Sequence, residues 1–550
     1  MQMIHRIRAR LSDESGFTMV VVMGVLLVAT LFSVAAIASA DKDIAPSRAD
    51  IDRKEAYAAA EAGLNDYMSR LNQDSNYWTN CSNVPAPAPV NPPFSITGAA
   101  GRKWRLVPGS TEADYSIELM PAAGSGYTQC DPANPAASMI DANGSFTIRS
   151  TGRSRASGTG PPAYRTITAS FRRRGFLDFL YFTDFETTDP EFFRSDATRY
   201  SAALTQCAKY SRNGRPTGNP CADITFVDAD AVRGPLHTND RLLVQGHPDF
   251  GRTSADQIET SAANAAAPAG PAWEANGTGD PNPFNGTFAP GAPILNLPPS
   301  NSQLSTIADV TYTGDTHIVF NGGTTMTVTN RTLNPVAPYT STEPLPANGV
   351  IYVKNGTCSQ PIYDASNPYQ VSPATYDYDC ANVWVSGSYN KSMTIASEGD
   401  VIIDPNSDPG SGAAGKGLRR SGDVMMGLIA NNFIRVRHQV ASTPCDSGTA
   451  NTASGTTNDV MIDAAILSLN HSFTVDNYAC GSKLGTLTVN GAIAQKFRGP
   501  VGTFGGSGTG YIKNYTYDDR LIYRSPPFFL DPVQSAWRTV RVTERSPADK

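Results

Sequence analysis

Hydrophobic and polar positions follow three rhythms along this chain. Phe17 to Ala40 reads FTMVVVMGVLLVATLFSVAAIASA without a single charge. As a helix it would measure about 36 Å, enough to cross a hydrocarbon core of about 30 Å. Tyr57, Ala60, Leu64, Tyr67 and Leu71 then recur at spacings of three and four, one face of an amphipathic helix over residues 41–75. Pro46 is expected to kink or interrupt the helix between these two parts. CSNVPAPAPVNPP (81–93) is too rich in proline to continue it, and a boundary is placed there.

From Lys103 the period changes to two. KWRLVP, YSIELMP, GSFTIRSTGR and YRTITASFRR alternate in and out and predict a small antiparallel sheet within residues 81–185. Residues 186–222 connect it to a second β region, 223–516. There short β-branched runs recur (GVIYVKNG, NVWVSGSYN, SMTIASEGDVIIDP, NDVMIDAAILSLNHSFTV), many ending in glycine or asparagine that can turn a sharp corner. Strands of this kind predict a right-handed parallel β-helix, with an elongated β-sandwich as the alternative. Comparable triplets at Leu428, Ala465 and Ala492 set an irregular repeat. Residues 262–302, 330–348 and 405–423 read as excursions from the coils, and 517–550 as a cap over an open end. The fold class is thus α+β, mainly β, with a long N-terminal transmembrane helix.

Charge changes the picture in two places. Arg6, Arg8 and Arg10 precede the apolar run while Asp41 and Asp43 flank Lys42 after it, which keeps the N-terminus cytoplasmic and sends the rest out. The whole chain carries 44 basic and 50 acidic residues, so no broad positive field supports a nucleic-acid partner. Arg172 to Arg174 beside FLDFLYFTDFE reads as a solvated turn before a buried strand. Eight cysteines without a CxxC pair fit structural disulfides in an oxidising compartment. Pairing of sequence neighbours (Cys81–Cys130, Cys207–Cys221, Cys358–Cys380, Cys445–Cys480) is a guess among 105 connectivities.

The junction Asp13-Glu14-Ser15-Gly16-Phe17-Thr18 resembles the class III leader of type IV prepilins and type II secretion pseudopilins. The resemblance implies that residues 1–16 are a cytoplasmic leader, that prepilin peptidase cuts between Gly16 and Phe17, and that Phe17 is then N-methylated. A cut before the apolar run leaves 17–40 as a transmembrane helix; a conventional cut after Ala38-Ser39-Ala40 would discard it. EAYAAAEAGL resembles the N-terminal region of PilX-type minor pilins, and the small sheet then corresponds to a pilin-like head. One position departs from the family: Val21 stands where most pilins carry a glutamate that pairs with a neighbouring subunit's N-terminus. K-type minor pseudopilins likewise lack it, and such subunits sit at filament tips.

Candidate chemistry is sparse. Asp228, Asp230, His237, Asp240 and Arg241 are the nearest approach to an acidic cluster of the polysaccharide-lyase kind, but their spacing matches no metal loop. Asp377 and Asp379 read as loop residues before Cys380. No GxSxG, HExxH, P-loop or dinucleotide fingerprint is present. The expectation is a non-enzymatic minor pilin or pseudopilin-like subunit without cofactor or metal, in a bacterial cell membrane, its mature part outside the cytoplasm or on a surface filament. Its expected partners are prepilin peptidase, other pilins or pseudopilins, and the inner or cytoplasmic membrane before assembly. The alternative is a membrane-anchored carbohydrate-active or adhesive surface protein outside any filament.

Overall fold

The computed structural model describes residues 17–74, 76–79, 104–131, 133–141, 145–154, 162–173, 175–228, 230–262, 273–279, 283–332, 338–359, 377–410, 416–441, 445, 448–451, 459–503, 508–522, 524–532 and 537–545. The protein is mainly β, with one long helix and a large sheet of parallel strands. Helix α1 (Phe17–Gln73) is continuous through Pro46, so the expected interruption does not occur. Its second half is rich in alanine, the strongest helix former. There Ala56, Ala59, Ala60, Leu64, Tyr67 and Leu71 are buried, whereas Tyr57 lies at the exposed margin of the face.

That face packs on an antiparallel sheet of β1 (Arg105–Leu106), β2 (Ala113–Met120), β3 (Ser145–Ser154) and β4 (Tyr164–Arg173), completed beside β4 by the C-terminal strand Trp537–Arg545. Helix and sheet meet closely. A Cβ on Gly152 would stand 1.9 Å from the Ala56 carbonyl, and the Ser150 hydroxyl donates to the Ala60 carbonyl at 2.7 Å. Tyr67, Trp78, Phe146, Phe171 and Trp537 form the aromatic centre of this head.

The C-terminal strand therefore corrects the expected domain order, because 537–545 joins the head and not an open end. Strand β5 (Tyr181–Thr188), most of it read as a buried connecting strand at the end of the small domain (81–185), belongs to the large sheet. Everything between β4 and the C-terminal strand is in effect inserted into the head sheet.

The large sheet is built of parallel ladders. The first contains, in spatial order, Val310–Thr313, Val350–Lys354, Met393–Ser397, Met426–Ala430, Ala465–Ser468, the second half of Lys483–Arg498, β5, Leu236–Thr238, Gln257–Thr260 and Thr287–Pro290. Two further ladders diverge from Val383–Tyr389. One continues through Val401–Ile403, Ile434–Val436 and Phe473–Val475. The other passes through Lys416–Arg420, Val460–Ile462, Lys483–Arg498, Thr509–Tyr517, Ala231–Arg233 and Asp249–Phe250. Gly387 sits where the two diverge, at φ +95°, with the Phe320 carbonyl where a Cβ would be.

The chain does not climb this stack from one end. Strand β5 lies in the middle, and the chain first builds outward to Thr287–Pro290. Residues 291–309 then return along the outer face of the first ladder to its far end, where Val310–Thr313 begins the descent back to β5. Leu295 and Leu304 of this strap cover Phe182, Tyr352, Ile429, Leu467 and Ala494, and the Asn301 side chain donates to the Ser397 carbonyl at 2.6 Å. Alternation explains the two faces: Ile395, Leu428, Ile466 and Ile493 point inward while their neighbours Ala396, Ile429, Leu467 and Ala494 meet the strap.

Two expectations about the repeat also change. Ala465 and Ala492 share a rung with Gly427, so the expected alignment on Leu428 is one residue out; such a slip would exchange inner and outer faces. The three expected excursions contain strands, among them Thr287–Pro290, Tyr339–Pro344 and Lys416–Arg420. Tyr339–Pro344 closes the three-stranded hairpin that brings Met326 and Val328 into the core.

Candidate functional site

Two places combine unusual exposure or chemistry. The first is the N-terminal half of α1. Met19–Ala36 is long and apolar enough to cross a membrane and buries nothing against the rest of the protein. Val21, Leu27, Leu31 and Phe32 are all about half exposed or more. Thr30 and Ser33 turn their hydroxyls back to the Leu27 and Ala29 carbonyls, which satisfies them within the helix. Phe17 is the first helical residue; Gly16 and the rest of the leader lie outside the described residues.

The second is the seam where the last parallel strands meet the first, in the middle of the stack. Here β5 and Ala231–Arg233 face Lys483–Arg498 and Thr509–Tyr517. Charges cross the seam in pairs. The Lys513 ammonium donates to both Asp230 oxygens at 2.7 and 2.8 Å. Arg498, 1% exposed, reaches Glu186 at 3.2 Å and the Ile224 carbonyl at 2.8 Å, with its guanidinium 3.4 Å from the Phe226 ring centroid. Burial pulls the Lys513 pKa down against the attraction of Asp230, and burial raises that of Glu186 against Arg498.

Beside these pairs a cleft of about 470 Å³ opens, lined from both sides of the seam. Thr188, Asp223, Thr225 and Asp230 come from the early chain; Tyr478, Lys483, Gly502, Thr503, Tyr511 and Lys513 come from the late chain. The segment after β5 also ties the two halves. Asp189 accepts from His471 Nδ1 at 3.0 Å, and Phe192 lies edge-on to Phe433 and Tyr478. Burial works to lower the His471 pKa, but the Asp189 carboxylate outweighs it and the ring titrates above its ordinary value.

The cluster singled out in the sequence does not converge. Asp230 pairs with Lys513, Asp240 with Arg215, and His237 lies between Glu259 at 2.9 Å and Asn239 at 3.1 Å. Asp228 accepts the His247 amide, and the positive charge of Arg241 acts on Asp223. Asp377 accepts from Ser359, while the Asp379 amide donates to Asp377. Asp377 also lies within 4.8 Å of both Cys358 and Cys380 sulfurs, but these form one disulfide and offer no thiolate to a metal.

Disulfides join Cys207 to Cys221, Cys358 to Cys380 and Cys445 to Cys480. Cys130 is also disulfide-bonded; Cys81, its expected partner, lies outside the described residues. The seam pairs were not picked out in the sequence, although a signal existed. In TGYIKNYTY the period of two puts Lys513 on the same face as Tyr511, Tyr515 and Tyr517, a cation on an inward aromatic face. No known protein family, curated protein or solved structure matches the chain.

Proposed function

We propose that this chain is a prepilin-like envelope subunit: a minor pilin or pseudopilin that joins a type IV pilus or a type II secretion-like filament at its tip. One observation carries the reading. A single helix is apolar and unburied over Met19–Ala36, yet through its other half forms the core of a compact head. A helix of this kind can be held in a bilayer and later transferred, still attached, into a bundle of like helices. Cleavage between Gly16 and Phe17 would remove the three leader arginines, which are costly to draw into an apolar bundle.

In this reading the ladders coil as a parallel β-helix carried outside the membrane on the head. Its insertion between β4 and the C-terminal strand anchors it by two covalent connections at the head sheet. A body of this bulk favours the tip, since repeated along a thin shaft its copies would collide. Val21 supports the same placement: a valine needs no charged partner inside the filament, whereas a buried carboxylate would cost several kcal/mol unless paired, on the order of 3–5 for an orphaned charge.

Immunogold labelling of filaments tests the placement. Wild-type protein should label ends, and Val21→Glu should insert normally but change the amount or position of label. Even labelling of wild type along shafts would contradict a tip role.

A further inference from the structure

We infer that Lys513 and Asp230 condense to an intramolecular amide, a covalent tie between the last and the first parallel strands of the stack. The inference concerns the large sheet alone and does not depend on how the chain is anchored.

Register brings the two side chains together. Asn514 pairs with Ala231 in a parallel ladder, so Lys513 and Asp230 stand opposite each other one position earlier. Lys513 Nζ lies 2.7 and 2.8 Å from the two Asp230 oxygens, and the side chains are only 14% and 5% exposed. An atom this close to both oxygens stands about 3 Å from Cγ, the separation of a near-attack arrangement. The Val227 amide donates to Asp230 Oδ2 at 3.1 Å, the oxygen on which negative charge develops when nitrogen attacks. Tyr181, Phe226 and Tyr515 line a small cavity together with Lys513. In such surroundings a neutral amine and carboxyl compete with the ion pair. Burial first, and then the positive charge of Arg498, weigh against the ammonium, while Asp230 and Glu186 favour it.

The choice of residue points the same way. Among the described residues the other buried ion pairs use arginine or histidine. A guanidinium stays protonated and supplies no free nitrogen lone pair, whereas a buried lysine gives up its proton readily. The three disulfides with both partners described span 14, 22 and 35 positions, and none crosses the seam. A bond from Asp230 to Lys513 closes the seam covalently over 283 positions.

The step balances without a co-reactant. One proton passes from Nζ to Oδ1, leaving an amine and a neutral carboxyl. The Nζ lone pair attacks Cγ and forms the C–N bond, while the C=O electron pair moves onto Oδ2 under the Val227 amide. A second proton leaves nitrogen for Oδ1, the C–Oδ1 bond breaks, and water departs through the adjoining cleft, which Asp230 and Lys513 both line. The product is a secondary amide that keeps one N–H. The ion pair is its precursor, so measurements of the pair's own strength apply to chain that has not condensed.

Tryptic peptide mass spectrometry of the detergent-solubilised full chain, after denaturation, reduction and alkylation, tests the bond. The expected species joins the peptide containing Asp230 to the one containing Lys513, is uncut after Lys513, and is lighter than the two together by one water, about 18 Da. Lys513→Arg keeps the charge but has no primary amine; the joined species should be absent and the Asp230 peptide should appear at its full mass. Wild-type chain cut normally after Lys513, with both peptides at full mass, would overturn the inference. A joined species that persists in Lys513→Arg would overturn it too, because the bond would then lie elsewhere. The wild-type peptides decide the matter even where the variant fails to fold.

Discussion

At the scale of single residues, the seam contains the most consequential choices. Lys513 and Asp230 sit where an all-apolar stack would place two more hydrophobic side chains. Such a pair returns little net stability, because desolvation offsets its attraction, but it penalises wrong register heavily. Loss of one partner leaves the other charged in the interior. Lys513→Met should therefore destabilise the protein by about 3–5 kcal/mol, and combining it with Asp230→Leu should recover most of that loss. Urea denaturation of the two variants measures both. A single variant as stable as wild type would show that water already reaches Asp230. The alternation of Tyr511, Lys513, Tyr515 and Tyr517 made the inward position of Lys513 legible in the sequence. Its partner was not legible, since Asp230 lies 283 positions away and only the pairing of Thr509–Tyr517 with Ala231–Arg233 brings it there.

Elements were read with mixed success, and the reason is the range of the forces involved. The amphipathic face of α1 depends on local spacing, and Ala60, Leu64, Tyr67 and Leu71 are buried as the spacing predicts. Short strands bounded by turn residues are likewise a local property. Pro46 was read as a break because a helix interior loses a hydrogen bond there, yet α1 is continuous. The C-terminal strand Trp537–Arg545 was assigned to a cap, since nothing in its own residues reveals that β4 needs an edge partner. The approach of α1 to β3 gives the element-scale prediction. Gly152→Ala would drive a methyl into the Ala56 carbonyl, and overpacking of this kind costs about 1–3 kcal/mol. Trp78 and Trp537 lie in the head, so their emission reports its unfolding once Trp273 and Trp384 of the large sheet region are replaced by Phe in both proteins compared. The urea midpoint of this signal should fall in the variant; an unshifted midpoint would mean that α1 does not pack on β3 as closely as described.

For the whole molecule, strand order was beyond the reach of the sequence. A repeat reads the same whether its strands are laid down from one end or from the middle outward, and the strap of residues 291–309 looks like any proline-rich loop until its leucines are seen against the first ladder. The consequence of starting in the middle is that the chain enters the large sheet from β4 at its middle strand β5 and returns to the head sheet through Trp537–Arg545. That geometry serves a subunit which presents a bulky body from a slender anchor, and the account of function turns on how the anchor is made. N-terminal sequencing by mass spectrometry of the protein extracted from membranes tests this most directly. The account predicts a first residue of Phe17, N-methylated, and in Gly16→Leu an unprocessed precursor about 2 kDa heavier that stays in the membrane fraction. Protein beginning at Asp41 would mean that the apolar half of α1 is discarded as an ordinary signal peptide, and would contradict the prepilin reading outright.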